Sequence, residues 1–110
     1  MAQTITTKLP ENTLRLATGR YLDTGTVAAY AFTTGFKPRY VRIINSAATG
    51  GVLEWSEGMA DASAFKYLSA DGAGALITSL GITVSDYGFT MGLDTDINVT
   101  SEQVSWIAIG

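Results

Sequence analysis

The chain has 110 residues, a length that fits one domain, and carries a net charge of −3, which argues against a nucleic-acid footprint. It contains no His and no Cys, so a Ser–His–Asp arrangement, a thiolate or imidazole metal site and a disulfide scaffold are all excluded. Only 15% of the residues are charged while 46% are hydrophobic, against about 25% charged in a typical domain. So few charges favour an assembly in which partner chains cover part of the surface.

The N-terminal run Met1–Lys8 lacks a basic region followed by an apolar one, so no signal peptide is expected. No segment reaches the roughly 18 apolar residues that would span a bilayer. The expectation is a protein made and soluble in a cytoplasm, with no membrane partner. The first dozen residues are polar and Thr-rich and end at Pro10-Glu11-Asn12. They read as an N-terminal arm over residues 1–12, either frayed or ordered against a neighbour, ahead of a β-domain over residues 13–110.

Turn signals then recur at short intervals: Asp23-Thr24-Gly25, Thr34-Gly35, Thr49-Gly50-Gly51, Gly58, Asp71-Gly72, Gly74, Gly81, Tyr87-Gly88 and Gly92. Such spacing predicts an all-β sandwich or barrel of short strands. A first strand is expected over Leu14–Ala17 and a second over Val27–Thr33. Tyr40–Asn45 alternates, with Val41 and Ile43 on one face and Tyr40, Arg42 and Ile44 on the other. Leu53 and Trp55 oppose Val52, Glu54 and Ser56 in the same way, which is the half-buried strand signature. Met59–Ser69 fits either a helical stripe or a turn near Ala60 followed by a strand, and the second reading is preferred. Further strands are expected over Ile82–Ser85 and from Phe89, with Met91 and Leu93 on its face. In Val104–Ile109 both faces are apolar, which predicts a strand covered on both sides, one side by a neighbouring subunit.

Residues able to do chemistry are sparse. Glu54 and Glu57 flank Trp55, but their three-residue spacing puts them on opposite faces of a strand. Asp94, Asp96 and Asn98 resemble the start of a calcium loop, yet the sixth and twelfth positions are Val99 and Ser105, not Gly and Glu. On a strand they would line a solvent-facing edge, with a weak calcium site left open. Asp71-Gly72-Ala73-Gly74 lacks the rest of a phosphate-binding fingerprint. Trp55 and Trp106 are candidates for stacking on a sugar, but lie in apolar strands where core packing is the default. Lys37, Arg39 and Arg42 cluster near Phe36 and Tyr40 and are expected to meet acidic residues of a neighbouring subunit.

The pattern Gly35-Phe36-x-Pro38-x-x-Val41-x-Ile43-x-Asn45, then Glu54-Trp55-x-x-Gly58-Met59, Gly81-Ile82-Thr83 and Gly88-Phe89-Thr90-x-Gly92, resembles small virion structural proteins of tailed bacteriophages. The likeness runs from about residue 27 to the C-terminus. It implies a head decoration or minor structural protein, located in the virion, with no catalytic residue and no cofactor. The combined expectation is a single antiparallel β-sandwich, jelly-roll-like, of about eight strands, that binds the major capsid protein and stabilises the head by bridging its subunits. Self-association is expected, with a trimer favoured by the local symmetry of an icosahedral shell. The contact surface is assigned to Leu9, Pro10 and Leu14 of the arm region and to Lys37, Arg39 and Arg42. The alternatives are a tail or fibre component, which could bind a host glycan, and a carboxylate enzyme, which needs two acidic groups converging in a pocket within about 10 Å.

Overall fold

A computed structural model describes residues 15–68 and 72–110. They form eight antiparallel strands: β1 (Leu16–Leu22), β2 (Tyr30–Thr33), β3 (Tyr40–Asn45), β4 (Gly51–Ser56), β5 (Ser63–Leu68), β6 (Gly74–Ser85), β7 (Gly88–Met91) and β8 (Gln103–Ile109). All belong to one sheet, ordered β1-β8-β3-β4-β5-β6-β7-β2, which curls into a half-barrel. The all-β, roughly eight-stranded expectation is therefore met. The layers of the expected sandwich are two limbs of one continuous sheet, a feature that local patterns cannot specify. Among the described residues no helix is long and apolar enough to cross a membrane.

Strands β3 to β7 follow one another as a meander. The chain reaches its outer positions by two crossings. Residues 23–29 carry it from β1 at one edge to β2 at the other, and residues 92–102 carry it back from β7 to β8. Both crossings lie over the same end of the half-barrel and are tied together. Ser101 donates its N–H to the Asp23 carbonyl at 2.6 Å, Thr100 Oγ1 donates to the Gly25 carbonyl at 2.8 Å, and Asn98 Nδ2 donates to the Ala28 and Gly92 carbonyls. Ile97 plugs that end and is fully buried.

The concave face holds the core. Val41, Ile43, Leu53, Ala64, Ile82, Met91 and Ala108 are completely buried, and Phe36, Trp55, Phe89 and Val104 nearly so. Each buried Val, Leu, Ile or Phe side chain contributes about 1.5–3 kcal/mol, so this face is the main driving force for the curl. The two ends of the sheet meet through an aromatic seam on the concave side. Tyr21 of β1 packs on Tyr30 of β2 at 4.5 Å between ring centroids. Phe32 packs on Trp106 at 5.3 Å, and Trp106 stands edge-on to Phe89 at 5.1 Å.

Several element boundaries differ from expectation. The first strand continues through Gly19 to Leu22, because Gly19 is where the Trp106 indole crosses β1: a Cβ there would lie 2.6 Å from the ring. The second strand starts at Tyr30, and Val27–Ala29 belongs to the crossing. Met59–Ala62 is a turn and Ser63–Leu68 a strand, as preferred. The strand expected at Ile82 begins at Gly74. The register of β5 against β6 jumps from Ser63↔Ile82 to Ala64↔Ile77, so residues 78–81 form an excursion, with Leu80 in the left-handed region at φ +63°.

The largest correction falls on Asp94, Asp96 and Asn98. They are not an exposed strand edge. Asp94 and Asn98 are buried, and residues 95–97 form a turn. Asp94 Oδ1 accepts the Asp96 N–H at 2.9 Å, and the Asp94 carbonyl accepts the N–H groups of Ile97 and Asn98. Short polar side chains that bond their own backbone prefer such turns to a ladder. Lys66 Nζ lies 2.9 Å from Asp94 Oδ2 and 2.7 Å from Asp96 Oδ2, in the place a cation would take.

Candidate functional site

Sheet alternation sends a second set of side chains to the convex face, and cross-strand register aligns them in rows. One row runs Thr18, Ile107, Arg42, Glu54, Phe65 and Leu76 across β1, β8, β3, β4, β5 and β6. A parallel row runs Arg20, Ser105, Ile44, Val52 and Tyr67, and a third Leu16, Ile109 and Tyr40. Leu16, Leu22, Phe65, Tyr67 and Leu76 are exposed on this face, Leu76 to 63%. The apolar character of both faces of β8 expected from sequence is thus real: Val104 and Ala108 point into the core, while Ile107 and Ile109 stand half-buried outside.

The centre of the face is polar and organised. Tyr40 donates its hydroxyl to Glu54 Oε2 at 2.7 Å. Burial and this hydrogen bond push the Tyr40 hydroxyl up to about 12, partly offset by the nearby Arg42 guanidinium. Tyr67 is raised as well, by hydrogen bonding to Glu54 first and desolvation second. Glu54 therefore holds the Tyr40 hydroxyl and acts on Tyr67 beside Arg42, in a field of aliphatic and aromatic groups. Tyr and Arg next to apolar anchors are the residue types that dominate binding hot spots.

A second feature lies at the end of the half-barrel opposite the crossings. A cleft of about 200 Å³ is lined by Lys37, Pro38, Trp55, Glu57, Gly58, Asp61 and Val84. It holds two carboxylates, but not the pair that sequence spacing brings up. Glu54 faces the convex surface, whereas Glu57 sits on the cleft 3.7 Å from Arg39 Nε. Asp61, which sequence reading did not single out, lines the same cleft. Trp55 is only 6% exposed and its indole N–H donates to the Ala60 carbonyl at 3.3 Å, so its ring is a wall of the core. Trp106 is packed between Phe32 and Phe89.

The basic cluster is divided by the fold. Lys37 is at the cleft, Arg39 pairs with Glu57, and Arg42 belongs to the convex face. Leu9, Pro10 and Leu14 lie outside the described residues, as does Asp71. The convex apolar residues on β5 and β6, Phe65, Tyr67 and Leu76, went unnoticed in the sequence. Alternation in Ala64–Leu68 was visible, but nothing local says which set faces out.

Compared with known proteins, the chain matches no family model, no curated protein and no solved structure.

Proposed function

We propose that this protein acts by binding and not by catalysis, as a structural subunit of a virion: a head decoration protein of a tailed bacteriophage that bridges capsid subunits. The observation that carries the reading is the convex face, where Phe65, Tyr67, Leu76, Ile107 and Leu16 surround the Tyr40–Glu54–Arg42 group. A monomer gains nothing from this arrangement, since each of these apolar groups costs solvation free energy in water. Laid across a joint between capsid subunits, the same face would bury apolar area while the central Arg and Tyr fix orientation. The added interface energy would oppose the pressure of packaged DNA. The likeness of the Gly35–Asn45, Glu54–Met59, Gly81–Thr83 and Gly88–Gly92 patterns to phage virion proteins supports the choice of assembly.

The test is co-sedimentation of purified protein with capsids of the parent phage that lack it, followed by electron cryomicroscopy of the particles. The expected result is saturable binding with density at subunit junctions. Density confined to the tail would replace this reading with the tail-component one, and no density on the particle would remove the virion role.

A further inference from the structure

The edge strands of the sheet are not equivalent. At the opposite edge β2 has four residues, and the part of β6 that β7 does not pair, ahead of Ile82, is broken by the 78–81 excursion and the left-handed Leu80. β1 is different: seven residues in unbroken register with β8, without Pro or bulge, and with one charge, Arg20. The Gly110 N–H donates to the Arg15 carbonyl at 2.9 Å, which sets the phase of the ladder. Ala17, Gly19 and Tyr21 therefore direct their backbone groups to β8. Leu16, Thr18, Arg20 and Leu22 direct theirs outward, where no described residue pairs with them. A long, unbroken edge of this kind is a template for another strand.

We propose that the occupant is a second copy of this chain, joined β1 to β1 in antiparallel fashion about a two-fold axis at Gly19. The argument is the self-complementarity of the strand. In that register Leu16 faces Leu22 of the second copy on the convex side, Ala17 faces Tyr21 on the concave side, and Arg20 faces Thr18. All seven residues pair, and the outward N–H and C=O groups fall opposite one another. Sliding by one step of the ladder places Arg20 against Arg20 in one direction and Leu16 against Arg20 in the other. Each alternative shortens the pairing, and the first sets like charges face to face. Leu16 and Leu22, 59% and 50% exposed in the single chain, cover each other twice over in the symmetric pair. The two half-barrels then share one sixteen-stranded sheet, 8 + 8, with their convex faces continuous. The pairing stands on strand geometry alone and does not depend on the virion reading.

Light scattering on the purified chain should return twice the 11.6 kDa monomer mass. Because the chain has no Cys, register can be read by single-cysteine variants. Leu16→Cys mixed with Leu22→Cys should form a disulfide, since directly opposed residues have Cα atoms about 5.5 Å apart, within disulfide range. Neither variant alone should crosslink, because six residues of strand separate its two copies by about 20 Å. The double variant Leu16→Lys, Leu22→Lys sets Lys against Lys twice and should weaken dimerisation on the order of tenfold or more, with an unchanged circular dichroism spectrum because both side chains are exposed. A monomer or a trimer by light scattering overturns the proposal, and so does self-crosslinking of either single variant at the rate of the mixture. Capsid binding is not read in any of these measurements, so their outcome is separate from that of the virion reading.

Discussion

Gly19 shows how one position can decide the shape of a sheet. A glycine inside a strand weakens it locally, and the usual reason to keep one is a close approach. Here the approaching group is the Trp106 indole, which uses that space to reach Phe32 and Phe89 across the seam. Gly19→Val should push the indole out, open the seam and cost about 1–3 kcal/mol in urea unfolding, with a red shift of Trp fluorescence at zero denaturant. An unshifted spectrum and unchanged stability would mean that the seam does not hold the curl. Lys66, Tyr40 and Tyr67 act at the same scale through their protons. Burial alone would lower Lys66, but hydrogen bonds to Asp96 and Asp94 outweigh it and raise its pKa above the ordinary 10.5. Tyr40 is raised from 10.0 to about 12. In each case the folded state holds its proton more tightly than the unfolded one. The resulting stability is complete below the unfolded values and is lost as pH rises through the folded ones. Unfolding free energy should therefore hold steady to about pH 10 and then fall toward about pH 12, with Tyr40 responsible for about 1–2 kcal/mol after allowance for its partial exposure. Tyr40→Phe should remove that share of the alkaline loss. An identical pH profile for the variant would break the assignment.

At the scale of elements, strands in which one face is buried are legible and the excursions between them are not. Tyr40–Asn45 and Leu53–Trp55 show a period of two, and their buried and outward sets match the structure residue for residue. Phe36, Val41, Trp55 and Phe89 are legible as core for two reasons: Val41 and Trp55 lie on the apolar face of an alternating strand, and Phe36 and Phe89 each directly follow a Gly corner, at Gly35 and Gly88. The first half of β6 was missed for the converse reason. Gly74–Leu80 is almost wholly exposed, so no burial imprints a period on it. The Asp94–Asn98 turn was misread because alternation of Asp, Asp and Asn looks like a polar strand face. Only Lys66, 28 and 30 positions away, reveals that Asp94 turns inward and that Asp96 joins it on the same ammonium group. The convex face followed the same logic: its constituents were visible strand by strand, but their alignment into rows is a product of register. Leu80 offers a test at this scale. It is 48% exposed and sits at φ +63°, a conformation that costs a residue with a Cβ about 1–2 kcal/mol. Leu80→Gly should relieve that strain with little loss of burial, leaving stability unchanged or higher by up to about 1 kcal/mol. A clear loss of stability would show that Leu80 is held by packing and that the excursion depends on its side chain.

For the whole molecule, the two faces of the sheet serve different ends, and that separation makes the binding reading testable by mutation. The concave face is closed: its core, the Ile97 plug and the aromatic seam account for the curl. The convex face adds less to folding: Leu76 is largely in water, and Phe65, which packs edge-on against Tyr67 at 4.9 Å between ring centroids, still exposes 38% of its surface opposite Leu76 at a matched register of β5 and β6. Replacing a core residue such as Ile43 by Ala should cost about 2–5 kcal/mol and reduce binding only through loss of folded protein. Replacing exposed apolar groups does the opposite, because most surface substitutions change stability by less than about 0.5 kcal/mol while removal of an interface anchor costs about 1–2 kcal/mol or more in binding. The double variant Phe65→Ser, Leu76→Ser should therefore stay folded, with a melting temperature lowered by the loss of the Phe65–Tyr67 contact and not by any change in the core. Its affinity for capsids should fall roughly ten- to a hundredfold, and the β1-mediated dimer, which lies four strands away from β5 in the sheet order, should persist. If capsid affinity is retained with both side chains gone, the convex face is not the binding surface; the cleft formed by Lys37, Trp55, Glu57 and Asp61 then becomes the place to mutate next.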